Sequence, residues 1–204
     1  MPINRLRKAA TPPLATVVFA PAAAGSIAQG ALAASLREAF KATVGADTVV
    51  IPGTDKGGAH ADSGALPFAA LAYDSQRVWS GTQWTTKNVA NFRAHARIKI
   101  TGVNPGDVFQ VVLLGTAGGT TSVLALGPWC PAVTDDQGND QAVADLDEVI
   151  SPPAGMVIEV HIKGNSGSAV TMKAPSAYSA IGSAPSGPYV AGSFFEVTEV
   201  VNAF

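Results

Sequence analysis

The stretch ANFRAHARIKI, residues 90–100, decides the fold class of this chain. Its even-numbered residues are apolar and its odd-numbered residues are Asn, Arg, His or Lys, which is the period of two of a β-strand with one buried face. An α-helix cannot place these apolar residues on one side. Turn formers follow at Thr101-Gly102 and in NPGD, residues 104–107, and the apolar segment 108–114 comes next. The sequence therefore predicts an antiparallel pair of strands.

The rest of the chain after residue 61 repeats this pattern of strands and turns. A second alternating strand is predicted at 156–163, where Met156, Ile158, Val160 and Ile162 alternate with Glu159, His161 and Lys163. Further strands are predicted at 73–84, 120–126, 142–150, 169–174 and 193–201. About seven or eight strands with turn signals between them and no long crossover helix predict a mainly β, antiparallel sandwich.

Residues 1–60 are predicted to form an N-terminal arm and helix outside this sandwich, which then occupies residues 61–204. Residues 1–25 are rich in Pro and Ala and have too few apolar side chains to fold alone, so they form either an attachment segment or a strand lent to a neighbour. Ser26 is a suitable N-cap, and Leu32, Leu36 and Phe40 follow at helical spacing. A short α-helix is therefore expected over residues 27–44. A short strand is the expectation for residues 47–51.

Composition excludes several classes of protein. The 204 residues contain 13 basic and 15 acidic side chains, a net charge of −2, whereas a nucleic-acid-binding protein shows a basic excess. No apolar run reaches the length of a membrane span. The single cysteine, Cys130, excludes an internal disulfide framework and a Cys-rich zinc site, and it fits a small apolar residue at a strand end. Neither a nucleic acid nor a membrane is an expected partner.

The loop GNSGS, residues 164–168, resembles the nucleophile loop of chymotrypsin-like serine proteases, and His95 precedes it in the chain. The sequence departs from that family at the Asp before the serine and at the Gly that closes the motif, and a hairpin turn explains the same composition. A serine hydrolase that uses Ser166 is therefore only a remote alternative. The chain is not expected to be an enzyme.

Candidate metal ligands are scattered along the chain. None of the three histidines has a partner at metal-ligand spacing, although His60 and Asp62 form a weak pair. The acidic loop, residues 135–140, offers oxygen ligands, but it lacks the alternating ligand positions of a calcium-binding loop. Neither a metal nor a cofactor is expected. These candidates are His60, His95 and His161, and the loop residues Asp135, Asp136, Asn139 and Asp140.

From Asn88 onward, the order of segments resembles the trimeric jelly rolls of the C1q/tumour-necrosis-factor type that occur in bacteriophage virion proteins. The resemblance rests on NVANF (88–92), PGDVFQVVL (105–113), the turn and strand at 150–162, and SFFEVTEV (193–200). The family's usual Gly-Asp before the penultimate long strand is replaced by Gly155-Met156. The resemblance implies an antiparallel jelly-roll sandwich, a homotrimer, and an N-terminal arm that fixes it to a larger particle.

Among such proteins, a capsid decoration (cement) or head-fibre attachment protein fits best, because the chain is short and has no fibrous repeat. The implied partners are the major capsid protein or other virion proteins, and the implied location is the capsid surface after synthesis in the bacterial host cytoplasm. The alternative is a receptor-binding or tail-fibre module that recognises a host surface glycan. The predicted capsid contacts are Leu14, Val17, Val18, Phe19, Leu32, Leu36 and Phe40.

Two predicted strands are apolar on both faces. Val112 and Leu114 lie opposite Val111 and Leu113 on one strand, and Phe194 and Phe195 point to opposite faces of another. The second face must be covered by either the N-terminal segment or a neighbouring subunit. The predicted trimer interface comprises Val112, Leu114, Phe194 and Phe195.

Overall fold

Strands make up all the regular secondary structure in the residues that the computed structural model describes, which are 37–54, 63–135, 138–175 and 192–200. None of these residues belongs to a helix long and apolar enough to cross a membrane. The strands are β1 (Ala39–Thr43), β2 (Thr48–Val50), β3 (Ala70–Asp74), β4 (Gln83–Thr85), β5 (Asn91–Thr101), β6 (Val108–Ala117), β7 (Thr120–Leu126), β8 (Cys130–Pro131), β9 (Val133–Thr134), β10 (Asp140–Ile150), β11 (Val157–Gly164), β12 (Val170–Met172) and β13 (Phe194–Val200).

Two antiparallel sheets form a sandwich, as the sequence predicted. The first sheet has the order β2-β12-β5-β13-β1-β3, with β10 on the other side of β5 and β9 beside β10. The second sheet has the order β4-β11-β6-β7, with β8 beside β6. The chain changes sheet at every connection from β3 to β6, then between β8 and β9, between β10 and β11, and between β11 and β12. This places β1 beside β13, which is the arrangement of a jelly roll.

The core lies between the two sheets. The even-numbered residues of β5, from Phe92 to Ile100, are completely buried, as the period of two predicted. Phe109, Val111 and Leu113 of β6 face them from the second sheet. An aromatic cluster closes one side of the core, with the rings of Phe40 and Trp79 stacked at 5.0 Å between centroids. Strand β5 is thus the centre of the core.

The predicted helix over residues 27–44 is wrong in its last turn. Residues 39–43 form β1, which pairs with β13 on one side and with β3 on the other. Phe40 and Ala42 point into the core, whereas Lys41 and Thr43 alternate with them on the opposite face. The remainder of that predicted helix, and the arm before it, lie outside the described residues.

Candidate functional site

The outer faces of the two sheets differ in how much of them solvent can reach. On the second sheet, the outward side chains of Val112, His161 and Lys163 are at most 6% exposed within the single chain. On the first sheet, the outward side chains of β3, β5, β10 and β13 are half-buried or exposed, apart from Phe194, which is 7% exposed. Apart from β7, whose residues are all half-buried or exposed, the second sheet is the more covered of the two, and the first sheet presents the more open outer face among the described residues.

Charged side chains on this open surface pair across the strands. The Arg93 guanidinium binds both carboxylate oxygens of Asp147, with Nε 2.7 Å from Oδ1. Arg97 binds Asp145 in the same way, with an Nε–Oδ1 distance of 2.8 Å. Two parallel hydrogen bonds fix each guanidinium against its carboxylate more strictly than a single contact does.

A second set of polar contacts crosses β1, β3 and β13 beside these pairs. Glu196 accepts hydrogen bonds from Lys41 Nζ at 2.8 Å and from the Tyr73 hydroxyl at 3.0 Å. Lys41 Nζ also lies 4.6 Å from the centre of the Phe194 ring, and His95 meets that ring edge-on at 4.9 Å. We call this surface the ion-pair face; it comprises Lys41, Tyr73, Arg93, His95, Arg97, Asp145, Asp147, Phe194 and Glu196.

The contacts within the ion-pair face change the acidity of its members. Partial burial raises the pKa of Glu196, but the hydrogen bonds from Lys41 and Tyr73 outweigh it and hold that pKa below its usual value. The hydrogen bond from Arg93 lowers the pKa of Asp147. Partial burial, together with the hydrogen bond to Glu196, raises the pKa of Tyr73 to about 12. The carboxylates therefore stay ionised and Tyr73 stays neutral at physiological pH.

Apolar side chains surround the ion-pair face on the same sheet. Val149 of β10 is 60% exposed, and Val143 and Val200 are also exposed. Val149 is opposite Arg93 in the register, and Val200 is opposite Asn91, so both point outward with the ion pairs. Exposed valines beside charges that already have partners give this face apolar surface that another protein could cover.

The structure separates the residues of the predicted trimer interface. Phe194 lies on the ion-pair face, but Phe195 is fully buried in the core. Val112 and Leu114 lie on the outer face of the second sheet and are 1% and 9% exposed within one chain. No neighbouring subunit is therefore needed to cover them.

Of the predicted capsid contacts, Phe40 is within the core and is fully buried. Leu14, Val17, Val18, Phe19, Leu32 and Leu36 lie outside the described residues, so their predicted role stays a prediction.

The structure does not bring together the residues that the serine hydrolase alternative requires. His95 packs against Phe194 on the first sheet, whereas Ser166 lies in the connection after β11, where its Oγ accepts a hydrogen bond from Ser168 N. No hydrogen bond connects His95 with Ser166 in the described part of the chain. Asp135 of the acidic loop instead accepts hydrogen bonds from the backbone and side chain of Asn139.

The described residues contain no group of three or more His, Cys, Asp or Glu side chains able to hold a metal ion. His60, Asp62 and Asp136 lie outside them.

Sequence reasoning missed most partners on the ion-pair face. The alternation of Ala142, Ala144 and Leu146 with Asp145 and Asp147 was a usable signal, because it shows that both carboxylates point away from the core. The pairing with Arg93 and Arg97 depends on the register between β5 and β10, which the alternation does not determine.

Comparison with solved structures finds structural neighbours of the TNF and C1q type. No family model and no curated protein matches the sequence. Murine APRIL at pH 5.0 is 10% identical, with a TM-score of 0.48 over 80% of this chain and 99% of that chain. The globular domain of zebrafish complement 1qA is 11% identical, with a TM-score of 0.45 over 81% and 98%. Eiger TNF from S. frugiperda is 10% identical, with a TM-score of 0.42 over 82% and 94%.

Proposed function

We propose that this chain is a homotrimeric structural protein of a bacteriophage virion, a capsid decoration or head-fibre attachment protein, held to the particle by its N-terminal arm. The observation that carries the proposed assembly is the difference between the two outer faces, and the virion role rests on the resemblance of the segments from Asn88 onward to trimeric jelly rolls of bacteriophage virion proteins. The outer face of the second sheet is covered within one chain at Val112, His161 and Lys163, whereas the ion-pair face is more open and is bordered by exposed Val149 and Val200. Copies arranged around a threefold axis would cover this face on every subunit.

The chemistry of the ion-pair face favours burial against another copy. Removing an isolated charge from water is expensive, but the carboxylates of Asp145 and Asp147 already have bidentate Arg partners. Burying Val149 and Val200 contributes about 25 cal/mol for each Å² of apolar surface. Preformed pairs therefore reduce the cost of association, and the valines provide its driving force.

The assembly is tested by the mass of the chain in solution. Sedimentation equilibrium should give three times the chain mass of 20.6 kDa. Val149→Lys places a charge on the ion-pair face and should shift the mass toward that of one chain. Leu126→Lys is the matched control, because Leu126 is 47% exposed on β7 of the second sheet and should leave the trimer intact. A wild-type monomer, or equal effects of both variants, would reject this arrangement.

Attachment to the particle is tested by deleting residues 1–25, which leaves every described strand in place. The truncated chain should keep its melting temperature and lose binding to undecorated capsids. The full chain is the positive control. If capsid occupancy is the same with and without residues 1–25, the arm is not the anchor.

A further inference from the structure

A polar cleft of about 510 Å³ lies at the end of the first sheet where β5 finishes. Its floor is formed by Lys99 and Thr101 of β5 and by Gln141 at the start of β10, and its wall by Asp135, Gly138 and Asn139 together with Asp140, the first residue of β10. The strand register places Thr101 directly opposite Gln141. The volume falls within the range of about 300–1,000 Å³ that is usual for small-molecule sites.

Three side chains on the cleft floor have unused hydrogen-bonding capacity. Within the described part of the chain, no hydrogen bond or ion pair engages the side chains of Lys99, Thr101 or Gln141, although all three are half-buried. Together they offer an ammonium group, a hydroxyl and a carboxamide, which supply donors and acceptors close to one another. Half-buried polar groups in this state favour a ligand that forms hydrogen bonds over an apolar one.

The other polar groups in the cleft have protein partners that hold them in place. Lys173 is paired with Asp47, and Asp140 Oδ1 accepts a hydrogen bond from Thr134 at 2.5 Å. Asp135 holds the loop by accepting a hydrogen bond from Asn139 N at 2.8 Å. The Asp140 carboxylate is fixed, but it keeps lone pairs for a further donor. The cleft therefore presents a cation and anions side by side rather than one sign of charge.

This arrangement selects for a ligand with neighbouring hydroxyl groups. One hydroxyl can accept a hydrogen bond from Lys99 while the adjacent hydroxyl donates to the Asp140 carboxylate, and Gln141 can serve either hydroxyl. A phosphate group suits the site less well, because it offers only acceptors and would be repelled by Asp135 and Asp140. We propose that the cleft between the end of β5, the start of β10 and Asn139 binds a neutral saccharide through its vicinal hydroxyls.

The test uses the full chain and the methyl glycosides of glucose, galactose, mannose and N-acetylglucosamine, with binding followed by saturation-transfer NMR. At least one glycoside should bind. Lys99→Met and Gln141→Ala should each weaken it by about tenfold, the loss expected for one or two hydrogen bonds. Lys87→Met is the matched control and should bind normally, because Lys87 is exposed in the connection at the opposite end of β5.

Three outcomes would overturn the proposal: no glycoside binds, binding is unchanged in Lys99→Met and Gln141→Ala, or inorganic phosphate binds in place of the glycosides. Melting curves of the variants exclude loss of folding as the cause of weaker binding. The cleft lies on the same outer face of the first sheet as the ion-pair face, beyond the Arg97–Asp145 pair. Mass and glycoside binding are measured separately, so a monomeric mass would reject the trimer without deciding whether the cleft binds a glycoside.

Discussion

Glu38 is a buried carboxylate that holds the connection between β4 and β5 in place. Its side chain is fully buried, and its carboxylate accepts hydrogen bonds from Trp84 Nε1 at 2.5 Å, Lys87 N at 2.9 Å and Asn88 N at 3.0 Å. Glu38→Ala would leave these donors without an acceptor, at about 1–3 kcal/mol for each one that water cannot reach. We expect a loss of about 3 kcal/mol in the free energy of unfolding in urea.

Glu148→Ala is the control for this prediction, because Glu148 is exposed on β10 and its loss should change the free energy of unfolding by less than about 0.5 kcal/mol. Glu38→Gln should fall between the two, since an amide keeps one acceptor oxygen. Equal stability of Glu38→Ala and Glu148→Ala would show that the buried carboxylate does not anchor the connection between β4 and β5.

Tyr73 gives the ion-pair face a response to alkaline pH. Its pKa is raised from 10.0 to about 12, so the folded state favours the neutral phenol. The stability from this preference is complete below pH 10, the unfolded value, and is lost as the pH rises toward 12. Urea unfolding should show the stability difference between wild type and Tyr73→Phe shrinking over that interval. A constant difference across it would contradict the raised pKa.

The organising strand, β5, can be tested face by face. Ala94 and Ile98 are fully buried, so Ala94→Asp or Ile98→Asp places an unpaired carboxylate in the core and should prevent folding. Arg93→Ala and Lys99→Ala remove outward side chains and should cost little stability. Expression in soluble form and circular dichroism distinguish the two sets. If all four variants fold equally well, the assignment of the buried face of β5 is wrong.

Gly127, just after β7, marks a close approach between the two sheets. A Cβ at this position would lie 2.2 Å from the backbone oxygen of Asp145, which no side-chain adjustment can relieve. Gly127→Ala should therefore cost about 2 kcal/mol or more in urea unfolding. Gly45→Ala is the control, because its Cβ would lie 3.6 Å from that of Ala70. Similar stabilities for the two variants would contradict this close contact.

At the scale of elements, the period of two was a dependable guide where a strand has one buried face. Residues 90–101 were predicted correctly for that reason, and β11 likewise. The sequence predicted a helix at residues 39–43 because Leu32, Leu36 and Phe40 have helical spacing. In so short a strand, only one repeat of the buried-face pattern is visible, between Phe40 and Ala42. Pairing with β13, about 155 residues away, decides the conformation of β1, and no local pattern reports it.

At the scale of the whole molecule, the trimer should be the stable folded species. If the ion-pair face is buried between subunits, unfolding separates three chains, and the melting temperature must rise with protein concentration. Calorimetry over a hundredfold range of concentration should detect this rise, and Val149→Lys should abolish it. A constant melting temperature together with a monomeric mass would remove the case for an obligate assembly.

The open surface itself was only partly predictable from the sequence. Two-sided apolarity in β6 correctly indicated that its second face is covered, whereas on the second face of β13 only Phe194, which lies on the ion-pair face, is buried. Val112 and Leu114, however, are covered within the chain, because burial of the second sheet's outer face depends on tertiary packing rather than on strand alternation. The cleft was not foreseen either, since its floor combines β5 and β10, which are 40 residues apart at Thr101 and Gln141.

The antiparallel pairing of β1 with β13 also has a consequence for engineering. Ala39 lies opposite Thr198, so the chain enters and leaves the jelly roll at one point on its surface. A short linker from residue 200 back to residue 37 would connect the two without breaking a strand pair, and the exposed turn at Gly118-Gly119 offers a place to open the chain. A circular permutant made in this way would begin and end on the second sheet. It would carry any fused cargo away from the point where residues 1–36 join the domain.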